Sequence, residues 1–212
     1  MNVFETREDA GKKLAQKLSS YKGKDVVVYA LPRGGVVVGV TVAKLLKASI
    51  DLVISRKIGH PMQEEYAIAA VSEHGDVVGE GKELAAIDQD WLVDAIKQEQ
   101  YEAKRRRAHY GGNLPKISSE GKIAIIVDDG IATGLTAKAA IKDLQRKFPK
   151  KIVVAAPVIS SEAAKELKML VDDVVFLKKP KDFTSIGGYY KEFPQVSDEE
   201  VISLLKAFKK VN

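Results

Sequence analysis

The sequence predicts an α/β fold, a mainly parallel sheet flanked by helices. Short apolar runs at Val26 to Ala30, Ile123 to Val127, Ile152 to Ala156 and Val174 to Leu177 read as buried strands, since nothing in them needs water. Segments with helical spacing separate them, the alternation expected of parallel strands joined by crossover helices. Two strands also end in glycine-bearing loops that lead straight into helices, which in this architecture marks ligand binding at the carboxyl ends of strands.

Taken in order, Thr6 with Asp9 caps a first helix reaching about Ser20, with Leu14 and Leu18 on one face. The strand Val26 to Ala30 precedes a helix from Val36 to Leu46. Asp51 to Ser55 is a strand, and Ala67 to Ser72 with Asp76 to Gly79 form a hairpin turning at His74-Gly75. Asp90 to Ala108 is a long charged helix, ended by Gly111-Gly112-Asn113-Leu114-Pro115. Strand and helix alternate from Lys122 to about Leu177. Ser197 with Glu200 makes a capping box for a last helix carrying Val201, Leu204, Leu205 and Phe208.

Composition bounds the function. The 212 residues, 45% hydrophobic, suffice for one good-sized core. No run approaches the roughly 18 apolar residues of a membrane span, and the start carries no signal-peptide pattern. The absence of cysteine excludes disulfides and thiolate metal sites and fits a cytoplasmic location. The net charge of +5 comes from lysines scattered along the chain, so it reads as solubility rather than as a nucleic-acid surface.

The chemistry concentrates after Val127. A strand ends in Asp128-Asp129, then Gly130, Ile131, Ala132, Thr133, Gly134, Leu135 and Thr136 lead into a helix. Strand, short Gly/Thr loop and helix N-terminus together form an anion site, with inward N–H groups and about half a positive charge from the helix dipole. Adjacent aspartates would repel a bare phosphate. They suit a sugar phosphate, whose hydroxyls go to the carboxylates and whose phosphate goes to the loop. A pair that merely caps the turn is the plain alternative. A receiver domain would need a further Asp ending a later strand, and an Asp-x-Asp phosphatase would need an acid at Gly130.

A second strand–loop–helix unit carries Leu31-Pro32-Arg33-Gly34-Gly35. The planar fork of Arg33 suits phosphate oxygens, which a plain turn would not need. Val40 stands where a P-loop requires Lys, which excludes that motif.

The run of apolar residues, two acids and a loop ending Thr133-Gly134-Leu135-Thr136 resembles the phosphoribosyl-diphosphate (PRPP) signature of type I phosphoribosyltransferases. Pro32-Arg33-Gly34-Gly35 looks like the pyrophosphate loop of that family, often built on a cis peptide, and the whole resembles a predicted group with a Pro-Arg-Gly-Gly loop. The resemblance implies Mg2+-dependent transfer of a phosphoribosyl group from PRPP to a nitrogenous base, with a purine-like acceptor favoured. Residues 130–136 would hold the 5-phosphate and residues 32–35 the pyrophosphate. Asp128 and Asp129 would bind the ribose hydroxyls, stabilise an oxocarbenium-like C1, and contact the metal only indirectly, through those hydroxyls or water. Arg56 and Lys57 would offset the charge of the leaving group. The alternative is a non-catalytic regulator that senses PRPP and binds nucleic acid.

The same resemblance implies a single domain over 1–212: a core of about 22–57 and 118–178, a flexible insertion over 58–117, and a hood over 179–196 followed by the C-terminal helix. Gly59 to Glu65 would be the mobile catalytic loop, with His60 either an acid or simply solvated. The run Lys104, Arg105, Arg106, Arg107 either covers a solvated helix face or reaches the pyrophosphate. In the hood, Phe183 or Tyr189 would stack on the base, while Tyr190 and Phe193 would pack against the last helix. Ala132 stands where enzymes for 6-oxopurines carry an acid, so a general base must come from elsewhere. A homodimer is usual in the family, and neither membrane nor nucleic acid is expected as a partner.

Overall fold

A computed structural model describes residues 3–111 and 117–211. Five parallel strands form the main sheet: β1 (Val26–Ala30), β2 (Ser49–Leu52), β6 (Ile123–Val127), β7 (Lys151–Val158) and β8 (Asp173–Lys178), in the order β2-β1-β6-β7-β8. Between β1 and β2, α2 (Gly34–Leu46) crosses over; α5 (Leu135–Gln145) and α6 (Ser161–Leu167) follow β6 and β7. Strand order reverses between β1 and β6. That switch point leaves a crevice at their carboxyl ends, where both predicted loops emerge.

Alternation along each strand builds two apolar layers. Val26, Val28 and Ala30 of β1, with Ile125 and Val127 of β6, face Leu14 and Leu18 of the first helical segment, Val36 and Val40 of α2, and Val201 and Leu205 near the C-terminus. Val27, Tyr29, Ala124 and Ile126 face the opposite layer, against Ala140, Ile141 and Leu144 of α5 and Leu167 of α6. A strand buried on both faces has no polar position to spare, hence the unbroken apolar runs.

The second unit is antiparallel: β3 (Ser55–His60), β4 (Gln63–Ser72) and β5 (Val77–Gly79), followed by α3 (Gly81–Ala86) and the long α4 (Gln89–Gly111). Ile58, Ile68 and Val71 pack with Trp91 and Ile96 into their own small core. The chain begins with α1 (Arg7–Lys17) and ends with α7 (Asp198–Val211).

Thr6 caps α1 by accepting from the Asp9 amide at 3.2 Å, and Ser197 accepts from the Glu200 amide at 3.2 Å, as the sequence predicts. Several boundaries differ. The first helix stops at Lys17, with a 3-10 turn over Ser19–Tyr21. The strand expected over Asp51 to Ser55 divides: β2 ends at Leu52, and Ser55 opens β3 in the other sheet. Residues Gly59 to Glu65 form the tip of the β3–β4 hairpin. The long helix ends at Gly111, and the predicted stop at Gly112 to Pro115 lies outside the described residues. Most consequential is α2, which begins at Gly34 rather than Val36, so both glycines of the Pro-Arg-Gly-Gly segment belong to its first turn.

Candidate active site

The crevice between β1 and β6 holds a cavity of about 180 Å³. Asp128, Asp129, Gly130, Ile131, Ala132, Thr133 and Gly134 form one wall, with Thr136 at the start of α5; Pro32, Lys57 and Ile186 complete it. Main-chain pairing fixes the loop: the Ile131 amide donates to Val158 O at 2.9 Å, and Ser160 Oγ donates to Ala132 O at 2.6 Å. Gly134, the N-cap of α5, has φ +77°, a conformation cheap only for glycine, and it turns the chain so that the helix N-terminus faces the loop. Leu135 points down instead, buried with Ala70 and Ala139.

The two glycines of α2 explain how the loops come together. A Cβ on Gly34 would lie 1.9 Å from Asp129 Oδ2, and one on Gly35 would lie 2.9 Å from the Asp128 Cα. Each carboxylate residue therefore rests directly on the first turn of α2. The peptide bond between Pro32 and Arg33 is cis.

Asp129 is buried and doubly held. Arg7 Nε lies 2.7 Å from its Oδ2, and the Tyr190 hydroxyl donates to its backbone carbonyl at 2.5 Å. Arg7 is itself anchored, with Nη1 donating to Pro194 O at 2.8 Å and the guanidinium 3.7 Å above the Phe193 ring. Asp128 Oδ1 accepts from the Asp129 amide at 2.8 Å. Burial, reinforced by the negative charge of Asp129, pushes the Asp128 carboxyl well above the usual carboxylate range. Tyr190 is likewise raised, chiefly by burial and then by Asp129. The site thus sets a carboxyl that retains its proton, Asp128, beside a carboxylate held by Arg7, Asp129.

The other predicted residues divide. Lys57 reaches the cavity, but its strand neighbour Arg56 points to the opposite side of β3, with Nε 2.6 Å from Glu99 Oε2 of α4. Successive strand residues face opposite ways, so only Lys57 lines the cavity that holds Asp128 and Asp129. Arg33 turns to α7, where Nη1 is 3.6 Å from Asp198 Oδ1; that carboxylate also accepts from the Tyr110 hydroxyl at 2.6 Å. In the basic run of α4, Arg105 and Arg106 pair with Glu102, while Arg107 is tied to Asp51 at 2.8 Å, away from the crevice.

His60 belongs to the hairpin tip, where its Nδ1 accepts from the Met62 amide at 3.2 Å. Phe183 and Tyr189 stack on each other, ring centroids 5.8 Å apart, and it is Ile186 between them that lines the cavity, over Gly130. Tyr190 and Phe193 pack with Phe4 rather than with α7.

Sequence reasoning does not reach Arg7, Tyr190 or Ile186. For Arg7 a signal exists: a cation in the first helical turn opposes the helix dipole, a local inconsistency of the sort that function imposes.

A two-carboxylate donor set is small for a protein-held divalent ion, and magnesium usually keeps several waters and substrate oxygens. Asp128 and Asp129, side by side on an open cavity, fit an ion held partly through substrate or water and not in a closed protein cage.

A parallel sheet with helices on both faces thus carries an acidic pair and a glycine-bearing loop at its switch point. Residues 4–191 match the phosphoribosyl transferase domain family, and the chain belongs to it. Relatives in two strains of Mycobacterium tuberculosis (H37Rv and CDC 1551), each bearing the name "Putative phosphoribosyl transferase", are 41% identical over 97% of this chain. The alignment spans 47% of their length, so the chain covers about half of those relatives. The crystal structure of the protein TT1426 from Thermus thermophilus is 38% identical, with a TM-score of 0.82 over 97% of this chain and 99% of that one. A purine phosphoribosyltransferase from Pyrococcus horikoshii, 18% identical, shares the fold with a TM-score of 0.50 over 93% of this chain and 99% of its own.

Proposed function

We propose that this protein transfers a phosphoribosyl group from PRPP to a nitrogenous base, releasing pyrophosphate, with a purine-like acceptor. One observation carries the reading: a single small cavity brings Asp128 and Asp129 together with residues 130–134 and Thr136 of the phosphate loop, Pro32 and Lys57. An anion loop, a hydroxyl-binding carboxylate pair and a cation are what a sugar phosphate with a charged leaving group requires.

The 5-phosphate sits on the N–H groups at the start of α5, with the Thr133 and Thr136 hydroxyls in reach. The ribose 2- and 3-hydroxyls donate to Asp128 and Asp129, and Arg7 keeps the Asp129 carboxylate in place. The pyrophosphate lies along Pro32 to Gly35. As the C1–O bond breaks, its electron pair leaves with pyrophosphate, whose charge Lys57 offsets, while the carboxylates stabilise positive charge building at C1. A ring nitrogen of the acceptor forms the new C1–N bond from the opposite face as its N–H bond breaks, the proton passing to the departing pyrophosphate or to water. Magnesium would supply further positive charge against the leaving group, with Asp128 and Asp129 holding it through water or substrate oxygens. Arg33 joins the pyrophosphate by leaving Asp198. Ile186, over Gly130, supplies an apolar contact for a planar base.

The test is calorimetric titration with PRPP in magnesium, with ribose 5-phosphate as the control, followed by pyrophosphate release across candidate bases. PRPP should bind at micromolar concentration and more tightly than the control. Asp129→Asn should lower turnover at least tenfold in a folded protein, since oriented groups of this type contribute on the order of a few kcal/mol to the barrier. Absence of PRPP binding, or full activity in the variant, would overturn the assignment.

A further inference from the structure

Away from the crevice, the turn between β4 and β5 meets the C-terminal part of α5. Glu73, His74 and Asp143 each offer one ligand-type atom here, and those three atoms lie within 4.8 Å of one another. The turn is stiff: the Glu73 amide donates to Ile54 O at 3.0 Å and the His74 amide to Ser72 Oγ at 3.2 Å. His74 Nδ1 contacts Asp143 Oδ1. The Asp143 side chain is 0% exposed, and its Oδ2 has no hydrogen-bond partner among the described residues. Lys147 Nζ stands 3.3 Å from that oxygen without hydrogen-bond geometry, on a side chain that is 30% exposed. A cavity of about 180 Å³ opens beside the group, lined by Glu73, His74 and Lys147 among others.

Three buried carboxylates, Asp51, Glu73 and Asp143, gather here against Arg107, Lys147 and the half-exposed His74 imidazole. A dication on Glu73 and Asp143, with neutral His74 and with Lys147 released to solvent, would bring the set to neutrality.

We propose that Glu73, His74 and Asp143 form a binding site for a divalent transition-metal cation, separate from Asp128 and Asp129, which joins the β4–β5 turn to α5. One imidazole and two carboxylates suit zinc, cobalt or manganese, with water completing the coordination from the adjoining cavity. Lys147 is the built-in competitor for Asp143.

The experiment is calorimetric titration of the dialysed full chain with Zn2+ in the absence of PRPP, which keeps the result independent of the transferase reading. One zinc per chain should bind, saturating at a stoichiometry of one. His74→Gln, at a half-exposed turn position, should weaken binding at least tenfold. Lys147→Met should tighten it several-fold, whereas a merely structural charge network would gain nothing. Asp128→Asn should leave it unchanged. Equal affinity in wild type and His74→Gln, unchanged or weaker binding in Lys147→Met, or no binding to the wild type would each overturn the proposal.

Discussion

Arg7 Nε sits 2.7 Å from Asp129 Oδ2, in a pair whose side chains are 8% and 12% exposed. Helix α1 and the end of β6 are thereby joined across 122 residues of sequence. Removing one partner of a buried pair leaves the other charge unmatched, at about 3–5 kcal/mol. Arg7→Ala should therefore lower the denaturation midpoint markedly. Arg7→Lys keeps the charge but cannot keep the Asp129, Pro194 and Phe193 contacts together, since a point ammonium lacks the planar fork. It should fold and still lose more than tenfold in pyrophosphate release. Full activity in Arg7→Lys would show that Asp129 needs only a nearby charge.

Asp128 makes the site pH-dependent in a definite direction. Its folded-state carboxyl titrates well above its ordinary value of 3.8. Between those two values the folded protein holds a proton that the unfolded chain has lost, so raising pH through this window lowers stability. Asp128→Asn removes the titration. The wild-type melting temperature should fall relative to the variant as pH rises above 3.8, then run parallel once the carboxyl is ionised in both states. Ribose hydroxyls prefer the ionised form, so PRPP affinity should rise over the same window. Calorimetry in buffers of different ionisation enthalpy should record a proton released on binding.

Gly34 allows the carboxylates and α2 to approach each other. A methyl group there would meet Asp129 Oδ2 at 1.9 Å, which forces Asp129 off Arg7 or unwinds the first turn of α2. Gly34→Ala should abolish PRPP binding within the range accessible to calorimetry and lower the melting temperature. Gly121→Ala is the control for backbone strain alone, since it has φ +69° but nothing within 4 Å. It should lose a little stability and no binding. If Gly34→Ala binds PRPP normally, the contact between the loops is not needed for the site.

How much of this is legible in the sequence follows from the reach of each interaction. The strands β1 and β6 and the caps at Thr6 and Ser197 depend on neighbours a few residues away, and their patterns are local. The start of α2 escapes a local reading because glycines read as loop; here long-range packing of Asp128 and Asp129 demands residues without side chains inside a helix. Arg33 reads as a phosphate ligand on its chemistry alone, whereas its partner Asp198 comes from the other end of the chain. Phe183 and Tyr189 offer aromatic faces, but nothing in their spacing reveals that they stack on each other.

The pair Arg56 and Lys57 gives the sharpest separation between chemistry and scaffold. Both are cations at one strand, yet Lys57 opens onto the cavity holding Asp128 and Arg56 is locked to Glu99. Lys57→Ala should lower turnover at least tenfold while leaving the melting temperature within a degree or two, since exposed side chains contribute within about 0.5 kcal/mol. Arg56→Ala should do the reverse, loosening α4 from β3 with turnover reduced only a fewfold. A double variant Arg56→Ala with Glu99→Ala should recover part of the stability lost in the single change, because no unmatched carboxylate is left beside the hairpin. Should Arg56→Ala prove as inactive as Lys57→Ala in a protein that melts normally, Arg56 must swing away from Glu99 when PRPP binds, and both cations would belong to the reaction.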